Sequence, residues 1–225
     1  EGITTYAYTG SYQIPVRTIT GNILDDIILF DRIIGTGEIA VSDHRSSQPS
    51  KEEFEKIVSA TRVGGILSAK AGIVNVHMGD GKRKMELLRH ILEETEIPVS
   101  NMLPTHINRS TVLLEEGIQY AKKYNGSIDF TTSFDVKDRS SDGVKASTAL
   151  KMALDAEVPI EQITFSSDAQ GSLPMFDENG NYIGLGVGSI QTLYREMKDA
   201  VLKENIPLED ALMPVTQNPA TILKL

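Results

Sequence analysis

Short apolar runs alternate with amphipathic stretches along this chain, and the two periods predict alternating strands and helices. Ile73-Val74-Asn75-Val76-His77, Met102-Leu103-Pro104-Thr105-His106 and Ile163-Thr164-Phe165-Ser166-Ser167-Asp168 read as buried strands, each ending on a polar side chain. After a glycine- and tyrosine-rich opening, Gly35-Thr36-Gly37-Glu38-Ile39-Ala40-Val41-Ser42 reads as another strand, with a polar loop over 43–49. Ser50-Lys51-Glu52-Glu53 then forms a capping box, in which serine accepts from the third helical N–H and glutamate reaches back. Phe54, Ile57, Val58 and Thr61 fall three or four apart on the helix that follows, and Gly64-Gly65 and Gly72 punctuate its far end.

The unit repeats. Strand 73–77 leads to a helix near 82–95, a strand near 99–106, helix 111–124, strand 127–133, helix 145–157 and strand 163–167. A glycine-rich loop over 169–188, helix 189–204 and a last helical segment over 208–224 complete the reading. About five strands and six helices result, and strand spacings of roughly 25 to 35 residues suit βαβ crossovers in a parallel sheet. No linker divides the chain, so residues 1–225 are read as one domain or part of one.

Two parallel architectures compete. An open doubly wound sheet usually carries a glycine fingerprint after its first strand. Gly184-x-Gly186-x-Gly188 follows a loop instead and is a weak match. A (β/α)8 barrel gathers its chemistry at the carboxyl ends of the strands, where the polar residues stand here, although such barrels usually need about 250 residues. The chain has 225.

Charge and composition narrow the partners. With 31 acidic against 22 basic residues and a net charge of -9, the chain is a poor match for nucleic acid or an anionic membrane. It has no cysteine, so any metal would be held by nitrogen and oxygen. No apolar stretch reaches the roughly 18 to 20 residues of a membrane span, and no signal peptide opens the chain. A cytoplasmic protein is expected.

His77, His106, Asp168 and Glu38 each stand at or near a predicted strand end, an arrangement that suits a metal ion and with it a hydrolase. Each has a plainer reading. A lone histidine there is commonly a hydrogen-bonded core residue, and Glu38 beside Ile39-Ala40-Val41 needs either a cation such as Arg45 or a metal. Arg109 could fork onto a carboxylate, and Ser172 could contact substrate or merely hold a turn. His44 and His90 have no evident partner, and His90 is read as a surface residue.

Thr9-Gly10-Ser11-Tyr12, Ser42-Asp43-His44-Arg45, Val76-His77-Met78-Gly79-Asp80, Leu103-Pro104-Thr105-His106-Ile107-Asn108-Arg109 and Ser166-Ser167-Asp168-Ala169-Gln170-Gly171-Ser172 resemble, in order, the motifs of bacterial isoaspartyl dipeptidases of the amidohydrolase superfamily. The resemblance implies a TIM barrel with a two-metal centre, usually zinc, that hydrolyses isoaspartyl dipeptides. It assigns His77, His106 and Asp168 as metal ligands, with Asp168 also the general base and acid. It assigns Tyr12 to the developing oxyanion and Arg45, Arg109 and Ser172 to the charged ends of the substrate. It also implies a homo-oligomer.

Two departures stand out. Glu38 takes the place of the family's bridging carboxylated lysine, its shorter reach to be absorbed by one extra residue between Gly35 and Arg45. The family's His-x-His pair has no counterpart in the sequence, nor do the strands of its flanking β-sandwich. The expectation is therefore an incomplete barrel, an internal fragment that holds one zinc where the complete site holds two, its activity alone left open. Other amidohydrolases, dihydroorotase-like or deacetylase-like, and a non-catalytic metal-binding fragment are the alternatives.

Overall fold

A computed structural model describes residues 2–134, 142–177 and 181–225. The chain divides into two compact units, the first comprising residues 1–105, 123–127 and 220–225 and the second 106–122 and 128–219.

The first unit is built on a four-stranded parallel sheet in the order β1 (Ala7–Thr9), β2 (Ile33–Val41), β3 (Ile73–Met78), β4 (Met102–Thr105). Nearly every residue of β2 to β4 is buried, as expected for parallel strands covered on both faces. Helix α1 (Ile23–Leu29) lies between β1 and β2, capped by the Asn22 side chain accepting from Leu24 N at 2.8 Å. Helix α2 (Lys51–Ser68) begins with the predicted capping box and buries Phe54, Ile57, Val58 and Thr61. It runs through Gly64 and Gly65 rather than stopping there, and ends at Ala69 in a left-handed conformation. Helix α3 (Glu86–Glu94) buries Leu87, Leu88 and Ile91.

One irregularity matters for the site. Between β2 and β3 the register passes from Thr36↔Val74 to Ile39↔Val76, so β2 takes three steps where β3 takes two and holds one extra residue over Gly37 and Glu38. Such a bulge re-aims a side chain and is uncommon between parallel strands.

In the second unit, helix α4 (Thr111–Tyr124) precedes β5 (Ile128–Thr131), which pairs in parallel with β6 (Ile163–Ser166), and α5 (Ala146–Asp155) lies between them in sequence. The segment predicted as a loop over 169–188 is an antiparallel hairpin instead, β7 (Ser172–Phe176) with β8 (Tyr182–Val187); its residues 178–180 lie outside the described residues. Glycines at 184 and 186 have low strand propensity and concealed the alternation of Tyr182, Ile183, Leu185 and Val187. Helix α6 (Gln191–Leu202) follows. The segment expected as one helix over 208–224 is α7 (Leu208–Leu212), a tight turn at 213–215 and α8 (Gln217–Ile222). Pro214, which has no N–H to donate, interrupts it.

Candidate metal centre

Of the polar residues singled out above, Glu38 and His77 lie on the first unit's strands β2 and β3. His77 sits in β3 between Ala40 of β2 and Thr105 of β4, and is 2% exposed. His106 is bonded directly to the end of β4. Glu38 projects from the bulge of β2.

The two ring nitrogens of His77 face different company. Nδ1 is 3.0 Å from Glu38 Oε2 and 2.8 Å from the Tyr12 hydroxyl. Nε2 is 3.0 Å from Asp43 Oδ2 and 3.1 Å from Arg45 Nη2. Tyr12 follows β1, and its ring centroid lies 4.5 Å from that of His77 while the Arg45 guanidinium lies 5.5 Å above its face. The loop that carries Tyr12 is tied to the loop after β2, with Gln13 Nε2 donating to Arg45 O at 2.8 Å and Ile14 N donating to Ser47 Oγ at 3.0 Å.

Asp43 had no role in the sequence reading beyond its place in a motif. Its side chain is 4% exposed, and it accepts from Arg45 N at 2.7 Å, Nε at 3.0 Å and Nη2 at 2.8 Å. Burial pushes its pKa up, but the hydrogen bonds from Arg45 and His77 outweigh this and hold the carboxyl far below the usual range. The same pairing raises the pKa of Arg45. Gly79 makes the arrangement possible, because a Cβ there would stand 2.4 Å from Asp43 Cα.

His106 is held from its other side. Its Nδ1 is 2.6 Å from Thr131 Oγ1, and Asn108 brackets Thr131 by donating to its carbonyl at 2.9 Å and accepting from its amide at 2.8 Å. Nε2 is then the nitrogen that would face a metal. His106 has φ 63° and Asp168 φ 49°, left-handed values that cost a non-glycine residue roughly 1 kcal/mol or more and cluster at functional positions.

Asp168 follows β6 in the second unit, its carbonyl accepting from Gly171 N at 3.0 Å. Gly188 packs against it so closely that a Cβ would stand 2.2 Å from that carbonyl oxygen. The last glycine of the weak fingerprint is therefore a packing device. Arg109 stands 5.5 Å over the Phe134 ring, and Ser172 opens β7 as an exposed residue. His44 is exposed, at 89%. His90, read as a surface residue, is instead largely enclosed, at 8% exposure, between Glu55 at 2.7 Å and Glu94 at 2.9 Å. Glu94 foremost, with Glu55, raises its pKa above the ordinary 6.5 against the opposing effect of desolvation.

Two histidine nitrogens and a carboxylate oxygen suit a borderline cation such as zinc. Donors about 2.0–2.2 Å from one tetrahedral zinc lie roughly 3.3–3.6 Å apart, close to the 3.0 Å between His77 Nδ1 and Glu38 Oε2. The residues present fit such an ion.

No family model matches the sequence. Among solved structures, a β-aspartyl dipeptidase from the thermophilic Fervidobacterium islandicum AW-1, crystallised with the dipeptide β-Asp-Leu, is 47% identical with a TM-score of 0.90 and is matched by 100% of this chain. The chain is similar to this β-aspartyl dipeptidase over its whole length. A second structure of a β-aspartyl dipeptidase from the same organism is 42% identical with a TM-score of 0.86, again over 100% of the chain. The chain spans 56% and 55% of the lengths of these two dipeptidases. Among the described residues, no helix is long and apolar enough to cross a membrane.

Proposed function

We propose that this chain carries the metal centre of a hydrolase that cleaves the isoaspartyl peptide bond of dipeptides, on a (β/α)8 barrel of which it holds part. The observation that carries the reading is the meeting of Glu38 Oε2 and His77 Nδ1 at 3.0 Å, in a sequence akin to β-aspartyl dipeptidases throughout. Zinc is the proposed ion, one held here and two in a complete site, and when bound it would lower the pKa of water and polarise the amide carbonyl.

The protein's own residues divide the remaining tasks. Glu38, His77, His106 and Asp168 are the proposed ligands, with Glu38 standing in for a bridging lysine carbamate; the bulge in β2 supports this, since it supplies the extra residue that a shorter side chain needs. Asp168 takes the proton from the attacking water and returns it to the leaving amine. The Tyr12 hydroxyl donates to the carbonyl oxygen as negative charge develops there. Arg45 and Arg109 hold the substrate's carboxylates as planar forks, and Ser172 contacts its charged end. A cytoplasmic homo-oligomer completes the proposal.

Zinc titration with elemental analysis tests the centre, and assay on β-Asp-Leu against α-Asp-Leu tests the reaction. Binding of one zinc that is lost in His77→Ala and in His106→Ala, with hydrolysis confined to the β-linked peptide, supports the reading. Zinc binding with turnover of a cyclic amide or an N-acetyl substrate instead would move the chain to another branch of the amidohydrolases. In an active protein, Asp168→Asn is expected to reduce kcat by at least about 100-fold with hydrolysis lost and most of the metal retained; near-normal turnover would remove Asp168 as the base.

A further inference from the structure

We propose that His90 is a pH-dependent clasp between α2 and α3: as an imidazolium it bridges Glu55 of one helix to Glu94 of the other, and when the proton leaves the bridge becomes a repulsion. The inference is independent of the proposed metal centre, since none of these residues is a proposed ligand or substrate contact.

The His90 side chain is 8% exposed, and each of its ring nitrogens faces a carboxylate oxygen. Nε2 is 2.7 Å from Glu55 Oε1 on α2, and Nδ1 is 2.9 Å from Glu94 Oε1 one turn further along α3. An ionised carboxylate only accepts hydrogen bonds, whereas a neutral imidazole has one N–H and one lone pair. Either neutral tautomer therefore turns a lone pair toward a carboxylate, and the two contacts favour neither. Only the imidazolium, with an N–H on each side and a positive charge, attracts both. Glu52 and Lys51, both at the start of α2, also act on it, the lysine standing 3.6 Å from Glu94 Oε1. The carboxylates of Glu52, Glu55 and Glu94 thus outnumber the lysine, and a proton on His90 offsets part of the excess. Glu94 foremost, with Glu55, raises the His90 pKa above 6.5 against burial and Lys51. Because the folded value lies above the unfolded one, the stabilisation is fully present below pH 6.5 and is lost as pH rises through the folded value. In sequence α2 leads into β3 and α3 follows it, so the clasp joins the helices on either side of the strand that carries His77.

NMR titration of the histidine ring protons, with His90 assigned through its backbone, reads the clasp directly, and urea unfolding between about pH 6 and about pH 9 reads its contribution to stability. The expected titration midpoint of His90 lies above the ordinary 6.5 and moves down in Glu94→Gln and in Glu55→Gln. The urea midpoint is expected to fall with rising pH in the native chain and to fall less in His90→Gln. The remaining histidines are common to both chains, so the difference between the two curves belongs to His90. A His90 midpoint at or below 6.5, or one unmoved by both glutamine substitutions, overturns the proposal. So does an equal fall of the urea midpoint in the native chain and His90→Gln. Glu94 is 59% exposed, so Glu94→Gln is expected to fold even where His90→Gln does not, and the titration then decides alone. Failure to bind zinc or to hydrolyse the dipeptide would sink the proposed function and leave this result standing.

Discussion

Asp26 shows how much a single buried carboxylate can organise. It is fully buried and accepts from the hydroxyls of Thr9 and Thr20 and from the amides of Ile19 and Thr20, tying the segment after β1 to α1. Burial pushes its pKa up, but those hydrogen bonds outweigh it and leave the pKa below the ordinary 3.8. The stabilisation this implies is present above pH 3.8 and is lost as pH falls through the lower folded value. Asp26→Asn is expected to cost about 1–3 kcal/mol at pH 7 and to flatten the decline of stability below pH 4. Urea unfolding at several pH values checks both; an undiminished decline would exclude Asp26 as its source. The local sequence holds a faint sign of this residue, two aspartates directly before Ile27-Ile28-Leu29. His77, His106 and Glu38 were legible because each abuts an apolar run. Asp43 was not, because in a polar loop only burial and partners distinguish a working carboxylate from a solvated one.

At the scale of elements, the α2 capping box and the strand carrying His77 were readable from adjacent residues. Ser50→Ala should cost about 1 kcal/mol, measurable in a denaturant melt. The bulge in β2, helix α1 and the β7–β8 hairpin escaped the periodic reading for separate reasons. A bulge is a register relation between two strands, α1 has only 7 residues to establish a period, and glycines diluted the hairpin. Gly79→Ala tests the contact between the turn after β3 and the loop after β2. The added methyl would press on Asp43 Cα, with an expected cost of about 1–3 kcal/mol and weaker zinc binding. Both variants meet the Ser42 carbonyl, at 2.4 Å from Gly79 and 2.5 Å from Gly81, but only Gly79→Ala also meets Asp43, so Gly81→Ala should disturb stability more than metal affinity. Calorimetric titration of both variants would separate these effects, and equal losses of affinity would rule out a part for the Asp43 contact.

For the whole molecule, ligand linkage gives the broadest check. Free zinc at 100 times its dissociation constant should stabilise the folded chain by about 2.7 kcal/mol, chelation should reverse this, and His77→Ala should abolish it. A melting temperature indifferent to zinc would argue against the centre. Alternation of strand and helix, the parallel sense of the strands and the residues at their ends followed from the sequence alone, because hydrophobic period and element spacing are local properties. Which carboxylate stands behind His77, how an extra residue brings Glu38 to it, and why glycine is needed at 79 and 188 were decided only by the tertiary structure. Each of these depends on distances between segments far apart in the chain, set by packing and burial that no local pattern encodes.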